Sequence, residues 1–140
     1  MAAPSTIALS SIVEVVEGIV RRESPYGFAE TLDRLERALQ RRQLEIFARF
    51  DHSGAARRVG LTMPDTQVVV FGNAKAGTPL MLASPAVALD LPLRVLVADD
   101  GGHAVVSYIS PAYVAERYGI PPGLVKNIAG IEAIVDEVVA

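Results

Sequence analysis

The sequence contains no cysteine. Disulfides, thiol nucleophiles and cysteine-held metals are therefore excluded, and the usage fits a reducing, cytoplasmic setting. Histidine is scarce, with His52 and His103 only. The pair Asp99-Asp100 lacks the glutamate and the spacing of a calcium loop, so neither a metal nor a cofactor is expected. Charge of one sign is also lacking. The 13 basic and 16 acidic residues leave a net charge of -3, which predicts binding to neither nucleic acid nor an anionic membrane. No stretch approaches the roughly 18 uninterrupted apolar residues from which a spanning helix is read. The opening MAAPSTIALSSIVEVVEG has no basic segment and does not read as a secretory signal.

Apolar side chains, by contrast, are abundant. They fill 51% of the 140 positions, and the mean hydropathy is +0.34. A chain of this length forms one domain and buries about two-thirds of its unfolded surface without staples. Apolar content beyond what that core absorbs points to a homo-oligomer, because a leftover apolar patch marks an interface.

The chain is organised around Thr66 to Leu96. Val68 to Phe71 is a continuous apolar run, which predicts a strand covered on both faces or central in a sheet. Gly72-Asn73 ends it, and a glycine-broken loop follows. Thr78-Pro79 and Ser84-Pro85 both show the cap-then-proline order of a helix start, which predicts one or two short helical pieces between Thr78 and Leu89. A strand is expected over Leu91 to Ala98, with Pro92 near its start, then a turn at Asp99-Asp100-Gly101-Gly102 and a returning strand, Ala104 to Ile109.

Around this centre the periodicities are clearer. The β-branched residues from Ile12 to Arg22 predict a strand with Gly18 as a bulge or bend. Phe28, Leu32, Leu35 and Leu39 share one helix face, with Gly27 as cap and Arg41 and Arg42 at the C-terminal end. Leu44, Ile46, Ala48 and Phe50 alternate, which predicts a strand with these four on its buried face. A short helix, Ala55 to Val59, ends at Gly60. Ser110-Pro111 starts a further helix that Gly119 ends. Leu124, Ile128, Ile131, Val135 and Val138 form a narrow seam on a last helix, to lie on a sheet or on a partner chain, with Asn127 on its wet side. The expected class is α+β: a single domain with an antiparallel or mixed β-sheet and helices packed on it. Residues 1–17 read as a partly loose extension and residues 18–140 as the domain.

Two places carry chemistry. Asp51-His52-Ser53 holds the three residue types of a serine-hydrolase triad, but consecutive residues cannot align in series, so Asp51 or Ser53 is expected to cap the helix that follows. The functional alternative makes His52 an acid or base in a ligand pocket. The loop Gly72-Asn73-Ala74-Lys75-Ala76-Gly77-Thr78 offers backbone N–H groups and a lysine to a carboxylate or phosphate. It is no Walker loop, and Pro79 removes one N–H. Read structurally, Asn73 makes an Asx-turn, Gly72 and Gly77 supply positive φ, and Thr78 caps. Tyr108 adds a hydroxyl near a pocket, or is simply a packed aromatic.

Several separated segments occur here in the order known from one family: Ser24-Pro25-Tyr26 with Thr31 and Leu35; Phe50-Asp51-His52 with Ala55-Ala56; Phe71-Gly72-Asn73 with Gly77-Thr78-Pro79-Leu80-Met81; Leu89 to Arg94; and Tyr108. Through them the chain resembles, from about Gly18 to Ala140, the bacterial and archaeal family called domain of unknown function 302. The resemblance implies a compact α+β domain, commonly paired as a homodimer, and transfers no activity and no catalytic residue. Gly27 stands where that family usually has a polar cap, and Ala74 where a proline is common.

The readings that follow are a homodimeric binding or assembly module that holds a small anionic or apolar ligand, an enzyme with His52 as base and Asn73 and Thr78 positioning a substrate, and an interaction module using the last helix. Asp51, His52, Asn73, Lys75, Gly77, Thr78 and Tyr108 are the candidate ligand-binding residues.

Overall fold

A computed structural model describes residues 12–140. Residues 1–11 of the expected extension lie outside the described residues. The strand expected over Ile12 to Arg22 is a hairpin: β1 (Ile12–Val16) and β2 (Ile19–Glu23) are joined by a turn in which Gly18 takes φ +86°. Part of the stretch read as an extension is thus an edge strand.

The chain continues through α1 (Phe28–Arg41), β3 (Glu45–Asp51), α2 (His52–Arg58), β4 (Thr66–Gly72) and α3 (Ala74–Ala83). A 3-10 turn (Pro85–Asp90) leads to β5 (Leu93–Asp100), β6 (His103–Ile109), α4 (Pro111–Tyr118), a short 3-10 turn (Pro122–Leu124) and α5 (Lys126–Val138). The strands form one six-stranded sheet in the order β1-β2-β6-β5-β4-β3. Every pairing is antiparallel, which settles the expected class on an antiparallel α+β fold.

Alternation sorts the sheet into two faces. Val69 opposes Val95, Val97 opposes Val106, and Phe71 opposes Leu93. These residues meet Leu35, Ala38 and Leu39 of α1 and Ile131, Ile134, Val135 and Val138 of α5 in the main core. The seam of the last helix is therefore buried within its own chain. A second cluster, Leu80, Val87, Val114, Ile120 and Ile128, closes one end. On the opposite face, Phe50, Val68, Leu96, Ser107 and Arg21 form a row across five strands, and none of them is fully buried.

β3 corrects one expectation. Ile46 pairs with Phe71 and Ala48 with Val70, so Phe47 is an extra residue, a bulge. The bulge shifts the alternation by one. Leu44 and Ile46 pack on the helix-covered core, whereas Ala48 and Phe50 fall on the other face. Phe50, expected to be buried, is 49% exposed.

Other boundaries hold or move for local reasons. The Ser110 hydroxyl accepts from the Tyr113 N–H, and Gly119 ends α4 in the left-handed region, as the sequence predicts. Gly101 and Gly102, both at positive φ, make the turn between β5 and β6, so Asp99 and Asp100 belong to the ladder. β5 starts at Leu93, just after Pro92, whose peptide bond with Leu91 is cis.

Candidate functional site

The site starts where β4 ends. Asn73 leaves the strand with extended backbone, and its Oδ1 accepts from the Lys75 N–H at 2.8 Å. Its carbonyl accepts from the N–H groups of Ala76 and Gly77. Asn73 thus makes the expected Asx-turn and also caps α3. The helix accordingly begins at Ala74, not at Thr78, and Pro79 lies inside it. Two start signals compete within five residues, and the first one wins because it is joined directly to the strand. The carbonyl of Lys75 loses its i+4 partner at Pro79, but Lys75 is exposed, so this cap-proximal proline is tolerated. Neither Gly72 nor Gly77 has positive φ. The expected anion cradle is also absent, because the N–H groups of Lys75, Ala76 and Gly77 are already taken by Asn73.

A cavity of about 200 Å³ opens instead beside this helix start. Gly72 is at its base: a Cβ there would lie 3.5 Å from both the Phe47 ring and Pro92. Phe47, displaced by the bulge, forms one wall. Leu91, Pro92 and Leu93 form another, Gly77, Thr78 and Met81 line it from α3, and Asn127 and Ile128 close it from α5. The Asn127 Nδ2 donates to the Ala76 carbonyl at 3.0 Å, tying α5 to α3. Thirteen residues line the cavity, and none has an ionisable side chain.

Of the candidate residues, Asn73, Gly77 and Thr78 line this cavity, while Asp51, His52, Lys75 and Tyr108 do not. Asp51 pairs with Gln67 at the far end of β4 from Gly72, roughly 16 Å away at about 3.3 Å per residue. Its Oδ1 accepts from the Gly54 N–H at 2.9 Å and from the Ser53 hydroxyl at 3.1 Å, so Asp51 caps α2 as expected. The buried Ser53 hydroxyl in turn accepts from the Thr66 N–H at 3.1 Å. His52 takes no part in this network; it is exposed and stacked on Phe50. Tyr108 is a core residue of β6, and burial raises its hydroxyl pKa. Among the described residues, no cluster of three or more histidine and acidic side chains is placed to hold a metal.

Sequence reasoning missed Phe47, Leu91, Pro92 and Asn127 as site residues. Asn127 was set on the wet side of its helix; it is half-buried and points to α3. A polar residue one position before the seam residue Ile128 was the only signal.

The Asp51 network predicts a pH dependence. The Gly54 N–H, helped by the Ser53 hydroxyl, holds the Asp51 carboxyl below its usual range. A depressed pKa stabilises the fold above the unfolded value of about 3.9, and the contribution is lost as pH falls through the folded value. Asp51→Asn keeps a cap but cannot titrate. The difference in urea midpoint between native chain and variant is therefore expected to shrink on acidification below about pH 5. A difference independent of pH would contradict this role.

The comparisons with known proteins agree with this architecture. The family model described as "Domain of unknown function DUF302" matches residues 20–138. The crystal structure of an uncharacterised conserved DUF302 protein from Bacillus stearothermophilus superposes with a TM-score of 0.73 at 18% identity, covering 89% of this chain and 97% of that one. A protein named fluoride-specific ion channel FluC 1, from Brucella suis biovar 1, is 35% identical over 128 residues, 91% of this chain and 48% of that protein. FluC 2 of Brucella melitensis biotype 1 matches at 35% over 91% of this chain and 46% of its own length. The chain therefore spans about half the length of these curated relatives, and no helix among the described residues is long and apolar enough to cross a membrane. With a family match over nearly all of its length and the same fold in a solved family member, the chain belongs to the DUF302 family.

Proposed function

We propose that this domain is a cytoplasmic, homodimeric binding module that holds a small ligand in the cavity between the end of β4, α3 and α5. The observation that carries the reading is the cavity itself: about 200 Å³, largely apolar, with a few polar groups at fixed positions. The absence of ionisable side chains from its lining favours binding over acid–base catalysis, and His52 stands too far away to act there. Pairing is supported by the apolar residues on the uncovered sheet face, with Phe50 exposed on the edge strand β3 and Val68 and Leu96 half-buried beside it. An accessory role fits relatives that are named as ion channels and match this chain over only half their length.

Gly77 provides the test. It sits in the interior of α3 at ordinary helical φ, and a Cβ there would meet only Leu91 Cδ1, at 3.9 Å. Gly77→Ala is expected to stabilise the fold by about 0.5–1 kcal/mol. Gly77→Leu is expected to fold and to fill the cavity. In a thermal-shift screen of metabolites, a ligand at about 100 times its Kd adds about 2.7 kcal/mol, or roughly 5–10 °C for a chain of this size. That shift is expected in the native chain and in Gly77→Ala, and not in Gly77→Leu. A screen without shifts, or with equal shifts in native chain and Gly77→Leu, counts against the site. Light scattering at micromolar concentration is expected to give twice the 14.9 kDa chain mass; a single-chain mass counts against the dimer.

A further inference from the structure

We infer that the cavity selects an uncharged ligand with an apolar body and an amide-type head, a hydrogen-bond acceptor beside a donor. The inference rests on the small-ligand reading above and names the chemistry of what is held.

Two asparagines line the cavity, and backbone partners fix how each presents its amide. Asn73 receives an N–H, that of Lys75, so its oxygen is the atom turned to the backbone. Its Nδ2 is left as a donor with no partner among the described residues. Asn127 faces a carbonyl, that of Ala76, so its nitrogen is the atom turned inward to α3. Its Oδ1 is left as an acceptor. Neither amide can flip without opposing two donors or two acceptors. Both residues line the cavity, so the amide atoms they leave for a ligand are one donor, Asn73 Nδ2, and one acceptor, Asn127 Oδ1, with Thr78 adding a hydroxyl that serves as either. A carboxamide, lactam or ureide group answers both: its carbonyl accepts from Asn73 and its N–H donates to Asn127.

A carboxylate or phosphate fits less well. It offers only acceptors at neutral pH, and would leave the Asn127 oxygen opposed to negative charge. No cationic side chain lines the cavity, and Asn73 occupies the N–H groups of Lys75, Ala76 and Gly77, which leaves only that of Ala74 in the first turn to offset the loss of hydration of an anion. The rest of the wall is apolar, with Phe47, Met81, Leu91, Pro92 and Ile128. An engineered cavity of about 150 Å³ takes benzene. The volume of about 200 Å³ here suits one ring or a short branched chain plus the head.

Four probes of similar size separate these terms: benzamide, acetophenone, benzoate and toluene. Each is titrated into the nitrogen-15-labelled 140-residue chain. The backbone amides of Gly72 and Gly77 and the side-chain amides of Asn73 and Asn127 report binding. Benzamide is expected to bind most tightly and to move all four signals, and to lose its effect in Gly77→Leu. Acetophenone lacks only the N–H, and is expected to bind roughly 3- to 10-fold more weakly, the effect of one hydrogen bond. Benzoate and toluene are expected to be weaker than acetophenone. Benzoate binding as well as benzamide overturns the uncharged head and leaves the cavity reading standing. Acetophenone or toluene matching benzamide overturns the amide head, again without touching the cavity. If none of the four moves the Gly72 and Gly77 signals up to its solubility limit, the cavity reading falls and this inference with it.

Discussion

Replacing Phe71 by alanine is expected to lower the free energy of unfolding by about 3–5 kcal/mol. Phe71 is 1% exposed and is the largest fully buried side chain. It stands on β4 between Ile46 of β3 and Leu93 of β5, on the face that meets α1 and α5. The backbone on either side is fixed by ladders, so the walls cannot collapse into the space the ring leaves, and the cavity term adds to the transfer term. Small domains are stable by about 5–15 kcal/mol, so this one change removes a large share. Phe50→Ala is the contrast: in the single chain that ring is 49% exposed, so below the concentration at which the proposed dimer forms the same chemical change is expected to stay within about 0.5 kcal/mol. Urea denaturation of both variants at low protein concentration distinguishes the two positions; equal losses there would contradict the core position of Phe71, whereas a Phe50→Ala loss that grows with concentration marks the open sheet face as the pairing face.

Gly18→Ala is expected to cost about 2–5 kcal/mol. Two effects combine. At φ +86° a Cβ crowds its own backbone, at about 1–2 kcal/mol. That Cβ would also lie 2.5 Å from Tyr113 Cγ, so the ring must be displaced, an overpacking cost of about 1–3 kcal/mol. The turn cannot simply move away, because the Gly18 carbonyl accepts from the Ser110 N–H at 2.7 Å, which holds the hairpin against the first turn of α4. A double-mutant cycle with Tyr113→Ala separates the terms. The ring contact vanishes in the Tyr113→Ala background, and the backbone cost remains. Full additivity of the two substitutions would show that the ring is not what Gly18 accommodates.

Where one element carried one strong periodic signal, its place was legible. The spacing of Leu32, Leu35 and Leu39 gave α1, Ser110-Pro111 with Gly119 gave α4, and the seam from Ile128 to Val138 gave the buried face of α5. The run Val68 to Phe71 predicts a strand covered on both faces or central in the sheet; β4 lies within the sheet between β5 and β3 with Val69, Val70 and Phe71 buried, while Val68 on the open face is only half-buried. Two kinds of information were missing. Alternation states which residues share a face but not where a bulge changes the phase, so Ala48 and Phe50 were set with Leu44 and Ile46. Local cap signals state where a helix is able to start, not which of two starts is used, so Thr78 was preferred to Asn73. The site suffered most. Its loop was visible as a glycine-bounded stretch, but Phe47, Leu91 and Asn127 come from remote parts of the chain and meet only through the sheet order. Asp51 and His52 looked adjacent to the site in chemistry and are at the other end of the strand in space.

The strand order has a kinetic consequence. β3, β4, β5 and β6 pair in sequence, each with its successor, so that meander assembles by short closures. The pairing of β2 with β6 joins Ile19 to Ile109 and encloses α1 and every strand from β3 to β5. Closing so long a loop costs the most chain entropy and is rewarded only after the meander exists to receive it. The N-terminal hairpin is thus expected to be the last strand pair to dock and the first to leave. Strand-resolved hydrogen exchange should show β1 and β2 opening at lower free energy than β4 and β5.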